Sequence, residues 1–158
     1  MKNRNKTVVE LNGGRVIDHT GLSDAAAFIV DKLRRFDLLG LKLHLKWHRQ
    51  REVLGYGYFR PTDYRTVAAV ASEFTYPFRH RKMVLTRQSG GRPKRIYDEE
   101  MIHDVSEALV CVAGHEVWHF LCKTEEKKGD WHIGANVFGY VWLREFKKVR
   151  GRVCKKSC

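Results

Sequence analysis

Residues 98–123, DEEMIHDVSEALVCVAGHEVWHFLCK, contain the pattern that decides the fold. Their apolar residues recur in steps of four, three and four, at Met101, Val105, Ala108 and Val112, and the same row continues through His115, His119 and Cys122. This period is typical of the buried stripe of an α-helix. The acidic residues 98–100 suit the positive end of a helix dipole, with Asp98 as candidate N-cap. The sequence therefore predicts a helix from about residue 98 to about residue 123.

Near its end this helix carries an HExxH motif, His115-Glu116-Val117-Trp118-His119. Residues four apart lie about 40° apart around a helix axis, so both imidazoles can bind one metal ion. Glu116 lies on the flank of that face, where a carboxylate is better placed to deprotonate a bound water than to be a ligand. The alternative, two histidines within an apolar core, would require polar partners for both and leave Glu116 without a role. The motif favours a zinc hydrolase.

A catalytic zinc site usually has three protein ligands and one position open to water. His132 is the leading candidate for the third ligand, because it begins a second predicted amphipathic helix, from His132 to Lys148. A charged segment with a Gly129-Asp130 turn signal separates the helices, so an antiparallel return would bring His132 beside the metal. Glu125 and Glu126, within that segment, are the competing ligands.

Two glycines interrupt the second helix, Gly134 and Gly139. Each costs a helix about 1 kcal/mol relative to alanine. The sequence therefore predicts close packing there, against the helix that carries the HExxH motif.

The chain resembles the SprT-like metallopeptidases, which include the bacterial SprT proteins and the Spartan DNA-repair proteases. The resemblance rests on HEVWH, on the 12 residues between it and His132, and on the following HIGANVFGYVWLREF. It covers residues 98 to about 146, and Ile133 stands where a glycine commonly follows the third histidine of the family. It implies that His115, His119 and His132 bind one Zn²⁺, that Glu116 is catalytic, and that the substrate is protein on or near DNA.

The rest of the chain predicts an α+β domain. Residues 23–40 are typical of a helix, residues 41–48 alternate as a half-buried strand does, and residues 83–86 resemble another strand. Residues 55–61 favour a turn or irregular region, and residues 66–74 are ambiguous between strand and short helix. We expect a minimal zincin-like domain with an N-terminal helix, a small, mostly antiparallel sheet, the HExxH helix and a C-terminal helix carrying the third ligand. Its predicted extent is 21–148, between a basic N-terminal segment, 1–20, and a basic cysteine-containing tail, 149–158.

Length and composition also bound the class of protein. A chain of 158 residues with 43% hydrophobic content suits one core, and it has no long apolar stretch or signal peptide, so we expect an intracellular protein without membrane partners. Cys111 and Cys122 are expected as buried thiols. The other two cysteines, Cys154 and Cys158, could share a zinc between chains or lie in an unliganded tail. Three further histidines, His44, His48 and His103, are expected at the surface.

The charge predicts anionic partners, because 30 Lys and Arg oppose 18 Asp and Glu, giving +12. No acidic residue lies between Glu73 and Asp98, where Tyr76 and Phe78 accompany a basic cluster, and a second cluster closes the chain. The candidate DNA-binding residues are Arg79, Arg81, Lys82, Arg87, Arg92, Lys94, Arg95, Lys147 and Lys148. The alternative is a basic surface that only keeps the protein soluble. Strand preference and oligomeric state stay open.

Three functional hypotheses follow. The first is a zinc-dependent endopeptidase in which Glu116 is the general base. The second is a nucleic-acid-binding protein whose zinc site is structural or vestigial. The third is a zinc hydrolase of a non-peptide substrate. Tyr97 and Tyr140 are candidates for a phenol that stabilises the transition state, although their spacing does not require that role.

Overall fold

A five-stranded sheet, a separate two-stranded hairpin and three helices make up the part of the chain that the computed structural model describes. That part comprises residues 6–50, 54–123 and 131–156, with the backbone alone for residues 131 and 152–156. The elements are β1 (Thr7–Leu11), β2 (Gly14–Asp18), α1 (Ser23–Leu33), β3 (Lys42–His48), β4 (Gly55–Arg60), β5 (Arg65–Ala71), β6 (Phe78–Ser89), β7 (Arg92–Ile102), α2 (Val105–Lys123) and α3 (Trp131–Lys156). The predicted α+β class is confirmed.

The larger sheet has the strand order β1-β2-β3-β5-β4. Its central pairs, β2–β3 and β3–β5, are parallel, whereas β1–β2 and β4–β5 at its two edges are antiparallel. β6 and β7 form an antiparallel hairpin of their own, closed by Gly90 and Gly91. Both glycines have positive φ, 59° and 75°, which suits a two-residue hairpin turn. Residues 89–93, which resemble a flexible loop in sequence, therefore contain a tight turn.

The core lies between one face of the larger sheet and the helices. Leu43 and Leu45 of β3 are fully buried there together with Ile29 and Leu33 of α1. Alternate residues of a strand point to opposite faces, so the predicted alternation of residues 41–48 is confirmed on this side. Fully burying an aliphatic side chain contributes about 1.5–3 kcal/mol, so this layer is a main source of stability.

The helix that carries the HExxH motif begins later than the sequence pattern predicts. Residues 98–100 belong to β7 and pair with residues 80–82 of β6. The cap is instead Asp104, whose Oδ1 accepts the backbone N–H of Glu107 at 2.9 Å, while Glu107 Oε2 accepts the N–H of His103 at 2.8 Å. These reciprocal bonds satisfy two N–H groups at the start of α2. The prediction that Asp98 is the N-cap was wrong, because Asp104 supplies the cap.

Several other predicted boundaries change. α1 ends at Leu33 and not at Gly40, because Asn12 Nδ2 donates to the carbonyls of Arg34 and Phe36 at 2.9 and 3.0 Å. Residues 55–60 form strand β4 where a turn was predicted, residues 65–71 form strand β5, and the short strand at 83–86 is part of β6. α3 continues past Lys148 to Lys156, and β1 and β2 form from residues of the predicted N-terminal segment. No helix in the described ranges is long and apolar enough to cross a membrane.

α2 and α3 pack closely along their glycines, as predicted. A Cβ at Gly139 would lie 2.7 Å from the Cys111 carbonyl oxygen, and one at Gly134 would lie 2.6 Å from the Trp118 indole nitrogen. Gly114 of α2 faces Gly139 of α3, since a Cβ there would lie 3.1 Å from the Gly139 Cα. The missing side chains therefore allow the two helix backbones to approach, which positions the residues that both helices contribute to the site.

Gly139→Ala should lower the free energy of unfolding by about 1–3 kcal/mol, because the added methyl group overpacks a backbone contact. Gly151→Ala is the matched control, since it lies in the same helix with nothing within 4 Å of its Cβ position. That change should instead stabilise the protein, by up to about 1 kcal/mol. Urea unfolding of both variants measures the difference, and equal effects would refute the close-packing role of Gly139.

Candidate metal centre

Three histidines from two helices meet at one point. His115 and His119 lie on α2 and His132 lies at the start of α3, and one ligand atom of each lies within 4.8 Å of those of the other two. The ring centroids of His115 and His119 are 5.0 Å apart, and that of His132 lies 5.3 Å from His119. His119 is buried and His132 is exposed, so the group opens to solvent on one side. The group could hold a metal ion. The competing Glu125 and Glu126 lie outside the described residues.

His115 and His119 have the protonation state that metal binding needs. Burial lowers the pKa of His115 to about 4, with smaller contributions from the neighbouring His119, Lys82 and His132. Burial also lowers the pKa of His119 to about 4, assisted by His132. Both rings are therefore neutral at physiological pH. Three imidazole groups that leave one side open are a donor set typical of catalytic zinc.

Glu116 lies beside this group in a confined position. Its Oε1 is 4.0 Å from Nε2 of His115, and the residue is 6% exposed. Burial raises the pKa of its carboxyl group to about 7. A carboxyl group with a pKa near neutrality can both take up and release a proton, so Glu116 suits a general base that later acts as an acid.

Gly57 of β4 makes room for Glu116. A Cβ at Gly57 would lie 2.2 Å from Cγ and 2.4 Å from Cδ and Oε1 of Glu116. The carboxylate therefore packs directly on the strand backbone. The sequence prediction missed this residue, because nothing local indicates that residues 55–60 lie beside α2.

Two adjoining cavities meet at Glu116. One, of about 260 Å³, is lined by the three histidines, Glu116 and residues 57–59 of β4. The other, of about 300 Å³, shares Gly57, His115 and Glu116 with the first and extends to residues of β6 and α3. Its polar lining residues are His80, Lys82, Asn136 and Tyr140. A substrate bound along β4 would thus have space on either side of the candidate base.

Asn136 orients His115 from α3. Its Nδ2 donates to the Met83 carbonyl oxygen at 2.9 Å, and its side chain also hydrogen-bonds His115. This bond raises the pKa of His115, as expected where the amide oxygen accepts from the imidazole N–H. Metal-binding histidines usually donate their second ring N–H in this way. Asn136 follows His132 by four residues, and this helical spacing could have identified it in the sequence.

Of the two candidate phenols, one lies near the site. Tyr140 is buried and lines the second cavity, where its hydroxyl donates to the His80 carbonyl at 2.9 Å and lies 3.0 Å from His80 Nδ1. Burial raises its pKa well above the usual range and lowers that of His80 to about 4. Tyr97 is 44% exposed on β7, with the Arg81 guanidinium 4.4 Å from its ring centroid. Tyr97 is therefore not a residue of this site.

The predicted DNA-binding residues separate into groups. Arg87, Arg92 and Lys94 lie on one face of the exposed tip of the β6–β7 hairpin, and Arg95 lies on the other face. Near its base, Arg79 and Arg81 lie 3.8 and 4.0 Å from Glu99, and Lys82 lines the second cavity. Lys147 lies 3.3 Å from Glu100, while Lys148 is exposed on α3. Arg87, Arg92 and Lys94 are therefore the part of the predicted basic clusters that the fold places together on one surface.

The remaining predictions have mixed outcomes. The thiols of Cys111 and Cys122 are buried, as predicted, and the His103 side chain is 57% exposed. His48 is 7% exposed, so its predicted surface position was wrong. Its ring packs against Tyr56 with centroids 5.1 Å apart, because β4 pairs with β5 and places Tyr56 over this part of the sheet. The side chains of Cys154 and Cys158 lie outside the described residues.

Comparison with known proteins gives no match, whether with protein-family models, curated proteins or solved structures.

Proposed function

We propose that this chain is a zinc-dependent endopeptidase of the SprT-like type. The observation that carries the proposal is the joint placement of three histidine ligand atoms within 4.8 Å of one another and a buried glutamate beside them. Buried carboxyl groups are costly unless they have a function or a partner, and His115 and His119 are neutral donors. Zn²⁺ is the metal that this donor set suits best.

His115, His119 and His132 would hold the ion, with Asn136 fixing the orientation of the His115 ring. The bound ion would activate a water molecule and polarise the scissile carbonyl group. Glu116 then accepts a proton from the attacking water at its carboxylate oxygen. It donates that proton to the leaving amine, which restores its starting state.

The edge strand β4 supports a peptide as the substrate. In the described ranges β4 pairs with β5 alone, so its other edge offers unpaired backbone groups. An extended peptide can bind such an edge by adding a strand, which holds its backbone irrespective of sequence. Gly57, Tyr58 and Phe59 of this strand line the cavity that contains the three histidines. A peptide bound there would pass directly over Glu116.

The basic hairpin tip supports a substrate held on or near DNA. Arg87, Arg92, Lys94 and Arg95 carry four positive charges with no acidic residue between them in sequence. Such a patch binds phosphates electrostatically. Binding of enzyme and substrate protein to the same nucleic acid would raise their effective concentration, so that proximity replaces a deep specificity pocket.

The first test is the zinc content of the purified protein. We expect about one equivalent per chain in the wild type and a large loss in His132→Ala, because two histidines bind zinc much more weakly than three. His103→Ala is the matched control, since His103 is an exposed histidine away from the group. Removal of zinc by a chelator should abolish cleavage of an unfolded protein substrate, and added zinc should restore it.

Two outcomes would contradict the proposal. Zinc that is absent, or that is retained in His132→Ala, would refute the three-histidine site. Zinc that is bound as expected, with no cleavage of any protein in the presence or absence of DNA, would instead favour the nucleic-acid-binding protein with a structural or vestigial site.

A further inference from the structure

The face of the larger sheet that points away from the helices has a composition of its own. Strand alternation identifies its members, because Cβ atoms at Gly55 and Gly57 would meet Val112 and Glu116 of α2. The residues between and after these glycines, Tyr56, Tyr58 and Arg60, therefore point to the opposite face. The register of the sheet extends this assignment to the other strands.

The short side chains on this face, which are buried, are aliphatic. Ile17, Val67, Ala69 and Ala71 are 6%, 2%, 0% and 2% exposed, yet none belongs to the core cluster that the helices share with the sheet. Longer side chains flank them in the same rows, since His44 pairs with Ile17 and Val67 and Lys46 pairs with Ala69. The longer charged and aromatic side chains of this face therefore lie beside buried aliphatic residues.

Residues that pair with one another across neighbouring strands form rows on this face, and one of these rows consists almost entirely of cations. The register places Arg15 opposite Lys42, Lys42 opposite Arg65 and Arg65 opposite Arg60, so that four neighbouring strands each contribute one. Glu10 of β1 ends the row on one side. At the other end Arg60 is paired with Asp63, whose Oδ1 and Oδ2 lie 2.8 and 2.5 Å from the guanidinium nitrogens. The cations without such a partner in this row are therefore Arg15, Lys42 and Arg65 among the described residues. Neighbouring strands lie about 4.8 Å apart, and like charges directly opposite each other destabilise a sheet. Such a row lowers the stability of the protein alone and favours a bound polyanion.

Two further observations support an anionic ligand. The Nε of Arg65 is buried and has no hydrogen-bond partner among the described residues. Burial, followed by the charges of Lys46 and Arg65, lowers the pKa of His44 to about 4. Lys46 and Lys6 likewise contribute to the lowered pKa of His19, after burial. The potential over this face is therefore positive.

Aromatic groups lie in the rows next to the cations. Tyr58 pairs with Val67 in the adjacent row and Tyr56 pairs with Ala69 in the one after it, and they are 42% and 46% exposed. Rows on one face are about 7 Å apart along a strand. The His19 and His44 rings stack nearby, with centroids 5.7 Å apart and planes at 9°. Flat aromatic groups thus lie on the same face as the charged row, in the rows next to it.

We propose that this open sheet face binds single-stranded nucleic acid, with phosphates along the row of Arg15, Lys42 and Arg65 and bases stacked on Tyr58 and Tyr56. Single strands are favoured over duplex because stacking on a tyrosine requires an unpaired base face. An acidic protein would pair with the cations but would have no bases to stack on the tyrosine rings. This inference goes beyond the proposed protease, because binding here needs neither zinc nor Glu116.

The test is the affinity of the full chain for a labelled oligothymidylate and for a duplex, by fluorescence anisotropy at two salt concentrations. The triple variant Arg15→Gln, Lys42→Gln and Arg65→Gln should weaken binding to the single strand at least about tenfold and reduce the salt slope by about 2. The matched control removes the same charge from the hairpin tip, through Arg87→Gln, Arg92→Gln and Lys94→Gln, and should have a smaller effect. Circular dichroism and the melting temperature establish that each variant is folded.

The stacking role has its own variant. Tyr56→Leu with Tyr58→Leu should reduce the preference for the single strand over the duplex while leaving the salt slope unchanged. If the triple variant of the sheet face and that of the hairpin tip lose equal affinity for the single strand, the proposal is overturned in favour of general charge attraction. Tighter binding of polyglutamate or of phosphatidylserine vesicles than of the oligonucleotide would also overturn it. Glu116→Gln should bind the oligonucleotide like the wild type, so failure of the protease proposal leaves this result interpretable.

Discussion

Glu116→Gln is expected to lower the rate of peptide cleavage by about 10²–10⁴-fold without changing the zinc content. Glutamine has the same shape, so the packing on Gly57 is kept, but it cannot accept a proton from water. The three histidines would still bind the metal, because Glu116 is not one of the grouped ligands. Turnover and zinc content measured on the same preparation separate the two roles, and cleavage that survives in Glu116→Gln would refute the mechanism.

Glu107→Gln is the matched control for the loss of a buried carboxylate. Glu107 lies on the same helix and is 5% exposed, but it caps the start of α2, far along the axis from Glu116. Its replacement should lower the stability of the protein and leave turnover per folded molecule unchanged. Equal losses of turnover in both variants would mean that Glu116 acts through stability alone.

The same substitution of Glu116 should change the pH dependence of stability in the metal-free protein. The pKa of Glu116 rises from 4.5 to about 7 on folding because burial disfavours its charged form. The folded state then holds a proton that the unfolded state releases, so this contribution is complete below pH 4.5 and is lost as the pH rises toward 7. Glu116→Gln should remove that loss, which urea unfolding across this range measures.

Sequence spacing was sufficient to predict the parts of the site that lie on one helix. His115, Glu116 and His119 follow from the geometry of a single turn, and His132 follows from the antiparallel return of the next helix. Gly57 and His80 had no such signal, because strand pairing brings them to α2 from distant parts of the chain. Residues whose position depends on sheet order cannot be found from local periodicity.

The wrong start of α2 has a related physical cause. Acidic residues at 98–100 suit a helix N-terminus, but they equally suit a strand opposite a basic one. Glu99 lies within 3.8 and 4.0 Å of Arg79 and Arg81 across the hairpin. Asp104 and Glu107 then provide a capping pair at the true start of the helix. Local propensity was compatible with both structures, and long-range pairing decided between them.

Gly57→Ala should lower turnover by about 100-fold or more while the protein still binds zinc. The added methyl group would lie 2.2 Å from Cγ of Glu116, so the carboxylate must move. A displacement of about 1 Å can cost a catalytic group about 10²-fold in rate. The histidines lie on α2 and α3 and not on β4, so zinc binding should persist. Steady-state kinetics with zinc analysis on one preparation provide the measurement.

Gly55→Ala controls for strain in the same strand. Its Cβ would lie 2.8 Å from the Ala69 carbonyl oxygen and 2.9 Å from Val112, and Glu116 is not among its three nearest contacts. Both variants should therefore lose stability, but Gly57→Ala should lose far more turnover.

Adding Glu116→Ala to Gly57→Ala should recover much of the lost stability, since it removes the side chain that the methyl group contacts. Full turnover in Gly57→Ala, or no recovery in the double variant, would show that β4 does not hold Glu116 in position. The pair thus tests whether β4, which supplies none of the three grouped histidines, sets the geometry of the candidate base. The histidine group by itself does not require this.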